Sequence, residues 1–145
     1  MSDTIKITCN ISTTDPTAKL GMSIWLDHKM VANYNHIEST IEFVHDMSDV
    51  DRAHTLAFVM ANKLPGHTKI DENGAILDDA CLIISNLTFD EIELGQIFSD
   101  QAKYTHNFNS DGPETTESFY GTMGCNGTVT LDFSSPVYLW LLENM

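Results

Sequence analysis

The sequence predicts an all-β chain: an antiparallel β-sandwich or jelly roll, with a short helix at its C-terminal end. Three observations predict it. Apolar and polar residues alternate with period two in several short runs, as half-buried strands require. Turn chemistry separates the runs about every 8 to 12 residues, the spacing of sandwiches and barrels. The chain shows no heptad, no internal repeat and no strand–helix–strand alternation.

The first strand is predicted over Thr4–Ser12, where Ile5, Ile7, Cys9 and Ile11 alternate with Lys6, Thr8 and Asn10. Thr13-Thr14-Asp15-Pro16 breaks it. Met22, Ile24 and Leu26 mark a second strand, and Asp27-His28-Lys29 reads as a hairpin tip leading into Met30-Val31-Ala32. Ile41 and Phe43 mark another strand, followed by a polar turn over Asp46–Arg52. Leu56, Phe58 and Met60 mark the next, with Ala57 and Val59 making its second face apolar as well. Leu64–Asp79 carries Pro-Gly and Asn-Gly turn chemistry and reads as a long loop or small hairpin. Cys81–Leu87 is a strand that Phe89–Leu94 continues or pairs with, and a short helical turn follows between Leu94 and Tyr104. Asn109–Glu114 is a second loop, and Val129, Leu131 and Phe133 mark the last clear strand. Ser135-Pro136 before an apolar run reads as the N-cap and first position of a helix, an extended strand being the alternative.

At 145 residues, with no composition shift to mark a linker, residues 1–145 form one domain. The 42% apolar content excludes a disordered or collagen-like chain. Acidic residues number 21 against 7 basic ones, a net charge of −14, and Arg52 is the one arginine. Such a surface repels phosphate backbones and anionic headgroups, so nucleic acid and membrane are excluded as partners. Met1-Ser2-Asp3-Thr4 carries no secretory signal, and no stretch nears the roughly 20 apolar residues of a membrane span. Three distant cysteines, Cys9, Cys81 and Cys125, read as thiols in a reducing compartment.

Motifs for catalysis are weak. The six histidines show no metal spacing, and no Cys-x-x-Cys pair supports zinc. Gly121, Gly124 and Gly127 lack the lysine of a phosphate loop and read as a kinked strand. No nucleophile elbow accompanies the many Ser, His and Asp residues. The expectation is a non-enzyme without catalytic residues, resident metal or cofactor. Asp71, Glu72, Asp78 and Asp79 offer oxygens to calcium, but glycine falls at the wrong place for an EF-hand. Trp25 sits on the polar side of its strand, where an indole can stack on a sugar ring. Pro136–Leu142 is apolar throughout, so Tyr138, Leu139, Trp140, Leu141 and Leu142 are candidates for packing on a partner or within their own fold.

Two resemblances follow from quoted segments. Ile24-Trp25-Leu26-Asp27-His28-Lys29-Met30-Val31 is similar to the opening hairpin of small calcium-dependent carbohydrate-binding modules of the xylan-binding type. His54-Thr55-Leu56-Ala57-Phe58 resembles their His-Thr-Leu strand, and Asp79–Leu87 lies where they carry Asp-Arg-Asn-Leu-Tyr-Val-Asp. In that run Asp79 and Leu82 keep the residue type, while Ala80, Cys81 and Ser85 replace Arg, Asn and Asp. The resemblance covers residues 1–98, leaving 99–145 as additional strands and the apolar segment. It implies a sandwich and, as the alternative function, glycan binding through Trp25, Asp78 and Asp79 with calcium. The later segments Tyr104–Asn109, Phe119–Gly127 and Leu139–Met145 resemble small proteins of marine tailed bacteriophages. That implies a virion structural or accessory protein: a decoration, neck, tail or fibre-associated subunit, made in the host cytoplasm. It would act through contacts with other virion proteins or copies of itself, and this is the first expectation for function.

Overall fold

The computed structural model describes residues 4–50, 52–63, 68–70, 72–73, 76–107 and 113–144, with backbone alone at 68–70 and 76–79. The strands in chain order are β1 (Thr4–Thr13), β2 (Gly21–Leu26), β3 (Lys29–Tyr34), β4 (Ile41–Ser48), β5 (Ala53–Ala61), β6 (Thr68–Ile70) and β7 (Ile76–Asp79). They continue with β8 (Leu82–Phe89), β9 (Ile92–Glu93), β10 (Lys103–His106), β11 (Thr115–Ser118), β12 (Thr122–Met123) and β13 (Gly127–Ser134). Helix α1 (Gln96–Gln101) precedes β10, and α2 (Val137–Asn144) follows β13. The excess over the eight or so strands read from the sequence lies in pieces of two to four residues, too short to show an alternation.

The strands form the predicted sandwich. One sheet has the order β12-β8-β1-β4 with β9 beside β8, and the other β11-β10-β13-β5-β2-β3. All pairings are antiparallel, and β6 and β7 make the small hairpin that the Asp71–Gly74 turn chemistry suggested. Strand β13 lies between β10 and β5, so residues beyond 98 supply a central strand of the six-stranded sheet. Period two then does the rest. Ile5, Ile7, Cys9 and Ile11 of one sheet bury toward Leu56, Phe58, Met60, Val129, Leu131 and Phe133 of the other, in a single core.

Strand β8 departs from strict alternation for a local reason. Leu82 and Ile84 bury, but so do Leu87 and Phe89, three residues further on. Exposed Asn86 has φ +55°, and the register with β1 slips between Thr8 and Asn10. One extra residue in the left-handed region reverses the facing of everything after it.

Two sequence expectations change, and a third goes largely untested. The polar turn at Asp46–Arg52 is shorter, because β4 runs to Ser48 and buries Met47 opposite Ile5. Ser135 does not cap α2. Its side chain turns inward, and Asp49 from the β4–β5 loop accepts the Val137 N–H at 3.1 Å. The loop expected at Asn109–Glu114 falls largely outside the described residues.

Helix α2 closes one end of the sandwich. Val137, Trp140 and Leu141 repeat at i, i+3 and i+4 and are buried, while Tyr138, Leu139 and Leu142 on the other side are exposed. Trp140 meets Phe89 and Phe133 at 6.0 Å between ring centroids, and these two rings lie 4.9 Å apart. Packing within its own fold is thus shown for Val137, Trp140 and Leu141 alone.

Two outcomes test this packing. Replacing Asn86 by Gly will leave the urea midpoint nearly unchanged, whereas Asn86→Val will lower stability by about 1–2 kcal/mol, since a β-branched side chain resists positive φ. Burial pushes the Cys9 thiol up to about 12, so an alkylating reagent at neutral pH will leave Cys9 unmodified by mass spectrometry until urea unfolds the chain.

Candidate functional site

The densest polar cluster grows from the β2–β3 hairpin. Leu26 pairs with Lys29, which leaves Asp27 and His28 as a two-residue turn with φ +51° and +69°. Two consecutive left-handed residues match the twist of the strands, and Asp tolerates that region better than most residues. The Asp27 side chain then binds three donors. Oδ1 accepts the Thr55 N–H at 2.9 Å, while Oδ2 accepts Arg52 Nη2 at 2.9 Å and His54 Nδ1 at 2.7 Å. The Asp27 N–H returns a bond to the Thr55 carbonyl at 2.9 Å. Burial alone would raise the Asp27 carboxyl, but the bonds from His54 and Thr55 and the charges of His54 and Arg52 hold it below the ordinary carboxylate range.

The cluster continues inward. His54 alternates with Leu56 and Phe58 on β5, so period two points its imidazole into the sandwich, where it stacks on Phe133 at 5.2 Å. Nδ1 faces Asp27, and Nε2 of the same ring is hydrogen-bonded with the Ser135 hydroxyl at 3.1 Å. The Ser135 N–H donates to the Arg52 carbonyl at 2.9 Å.

Serine, imidazole and carboxylate stand here in the order of an acyl-transfer relay, which the sequence did not reveal. That chemistry also needs an accessible hydroxyl and N–H groups aimed at a developing oxyanion. Ser135 is 4% exposed. Its own N–H is engaged by Arg52, residue 136 is proline and has none, and the Val137 N–H is held by Asp49. The cluster locks hairpin, β5 and the entry to α2 together, buried at His54 and Ser135 and open to solvent at Arg52. On its outer side lies a groove of about 440 Å³ lined by Asp27, Lys29, His45, Asp46 and Arg52 among others.

The residues singled out from the sequence lie on separate elements. Trp25 lies half-buried on the outer face of the six-stranded sheet, beside Ala57 and Met30, and its indole N–H donates to Ser23 Oγ at 2.9 Å. Asp78 and Asp79 lie on β7, in the separate hairpin, and their side chains are outside the description. Trp140 and Leu141 are enclosed by their own core, so the apolar surface left by α2 is Tyr138, Leu139 and Leu142, with the Tyr138 hydroxyl donated to Asp90. Among the described residues no three His, Cys, Asp or Glu side chains come together as a metal site would require, and the Asp27 carboxylate is engaged by three donors. The side chains of Asp71, Asp78 and Asp79, which the sequence offers to calcium, lie outside the described residues.

Comparison with known proteins agrees with this architecture. The chain is similar to the solved structure of vCBM60 in complex with galactobiose, with a TM-score of 0.51 and 9% identity over 87% of this chain and 96% of that one. It is equally similar to the selenomethionine form of vCBM60, at TM-score 0.51 and 9% identity over 88% and 89%. That structure comes from a description of circular permutation linking two families of calcium-dependent carbohydrate-binding modules. No family model and no curated protein matches the sequence. At this identity the likeness shows the fold, and it extends well past residue 98. Nothing in these comparisons supports a phage origin or a virion role.

Asp27→Ala will lower stability by about 2–3 kcal/mol at neutral pH, because three donors lose a charged acceptor. The acid side gives the sign. A depressed folded value stabilises above the unfolded value of about 3.9 and is lost as pH falls through the folded value. The gap in urea midpoint between the native chain and Asp27→Asn will therefore shrink below about pH 4, and a gap constant down to pH 2 would contradict the carboxylate's role.

Proposed function

We propose that the chain is a non-catalytic carbohydrate-binding module. The single observation that carries this reading, by analogy, is the likeness of fold to vCBM60 over nearly the whole of both chains. The polar cluster is consistent with it, being a lock rather than a reaction centre. On this reading Trp25 offers an indole on the outer sheet face, tethered by Ser23 and flanked by the small side chain of Ala57. Asp78 and Asp79 on the β6–β7 hairpin are the proposed polar contacts, with calcium as their ion.

Calorimetry against a panel of neutral and acidic oligosaccharides tests the reading. Measurable heat with at least one glycan is expected, and a flat response across the panel overturns it. A chelator arm reports on calcium: binding lost on chelation and restored by added calcium assigns the ion to this function.

The α2 surface supports a second reading, contact with another protein or a second copy. Tyr138, Leu139 and Leu142 expose large apolar area on one side of a helix whose other side is already packed. The virion assignment is a special case of this reading. Light scattering on the double variant Leu139→Ser, Leu142→Ser tests it, because neither side chain is in the core. Self-association in the native chain that vanishes in the variant supports it, and a monomer in both removes the second-copy form.

A further inference from the structure

The two sheets end at the same side of the sandwich in short edge strands, β11 and β12. Phe119, Tyr120 and Gly121 join them, with Gly121 at φ +102° where other residues would be strained. Between these edges lies a groove of about 280 Å³, lined by Tyr104, His106, Glu117, Phe119, Tyr120 and Thr122 among others. It shares no lining residue with the Asp27 groove.

The floor is held in place without a ligand. Tyr104 sits opposite Glu117 in the β10–β11 ladder. Its hydroxyl accepts the Cys125 N–H at 2.8 Å and donates to the Cys125 carbonyl. Buried His106 lies 4.7 Å from the Tyr104 ring, and its Nε2 bonds Glu117 Oε1 at 3.1 Å. Phe119 packs edge-on against Tyr104 and Phe98. The rim differs. Tyr120 is 81% exposed, the most exposed of the large apolar side chains, and the Glu117 side chain is 56% exposed with Oε2 bonded to no described residue.

An open aromatic ring beside a half-engaged carboxylate is amphipathic in the way a sugar ring is. The C–H face of a pyranose packs on the tyrosine, and its equatorial hydroxyls donate to the carboxylate. The volume lies just below the roughly 300–1,000 Å³ of ligand pockets, which suits one ring better than a chain of them. Charge narrows the class further. Among the described lining residues there is no Lys or Arg, and Glu117 adds a negative charge on a chain of −14, so uronates, sulfated sugars and phosphates are disfavoured.

We infer that the groove between β11 and β12 is a subsite for one neutral pyranose unit, stacked on Tyr120 and bonded through Glu117. The inference rests on the carbohydrate-binding reading and deepens it, because it adds a metal-independent contact. Calorimetry and saturation-transfer NMR with neutral mono- and disaccharides, in chelator, test it on the native chain, Tyr120→Ala, Glu117→Gln and the remote surface control Val44→Ser. Both groove residues are exposed, and equal thermal unfolding of all four proteins confirms intact folds. The expected result is saturable binding that survives chelator, falls about tenfold or more in Tyr120→Ala and Glu117→Gln, and is unchanged in Val44→Ser. Glycan binding that both groove variants retain overturns the subsite and leaves the carbohydrate reading standing. Absence of binding by the native chain to any glycan, with or without calcium, overturns the reading and the subsite with it.

Discussion

The Asp27 carboxylate ties one end of the sandwich together. Its two oxygens take donors from Arg52, His54 and Thr55, while its own turn joins β2 to β3. Through His54 the same carboxylate reaches Ser135, where β13 ends and the chain enters α2. A sandwich has open ends because its strands stop there, and backbone groups at those ends need partners. One charged acceptor supplies them for segments that are far apart in sequence. It also explains how a hairpin turn with two non-glycine residues at positive φ persists: the turn is the conformation that aims the carboxylate inward.

A second turn repeats the device. Asp90 and Glu91 connect β8 to β9 at φ +52° and +69°. Asp90 Oδ1 accepts the Lys6 N–H at 2.9 Å, and Oδ2 accepts the Tyr138 hydroxyl. These bonds, with the Lys6 charge beside them, hold the Asp90 carboxyl below the ordinary range against a small opposing effect of burial. Helix α2 is therefore docked from three directions: Asp49 at its N-terminus, Asp90 at Tyr138, and the Phe89–Phe133–Trp140 rings beneath it. The acidic excess of the chain does part of this work, since Asp27, Asp49 and Asp90 act as acceptors at turns and at a helix end.

The candidate binding features follow the same logic of edges. Flat sheet faces present Trp25, whereas sheet edges present concavity, because two sheets separated by a packed core leave a slot where the short strands β11 and β12 stop. Tyr120 and Glu117 lie next to that slot. They drew no attention in the sequence because Thr115–Ser118 and Thr122–Met123 are too short and too polar to announce strands, so nothing marked the residues between them as a rim.

What the sequence determined by itself was local. Alternation placed Ile5–Ile11, Met22–Leu26, Leu56–Met60 and Val129–Phe133 on strands with the correct faces inward, because burial of every second residue is written in the order of the residues. Asp27-His28 was legible as a hairpin tip and Pro136 as the threshold of a helix for the same reason. The tertiary structure decided everything that depends on which distant segments meet. It set β13 between β10 and β5, turned Ser135 from a helix cap into a partner for His54, and divided an evenly apolar helix into a packed and an open side. Those outcomes rest on hydrogen bonds and ring contacts between residues tens of positions apart, and no periodicity within one segment encodes them.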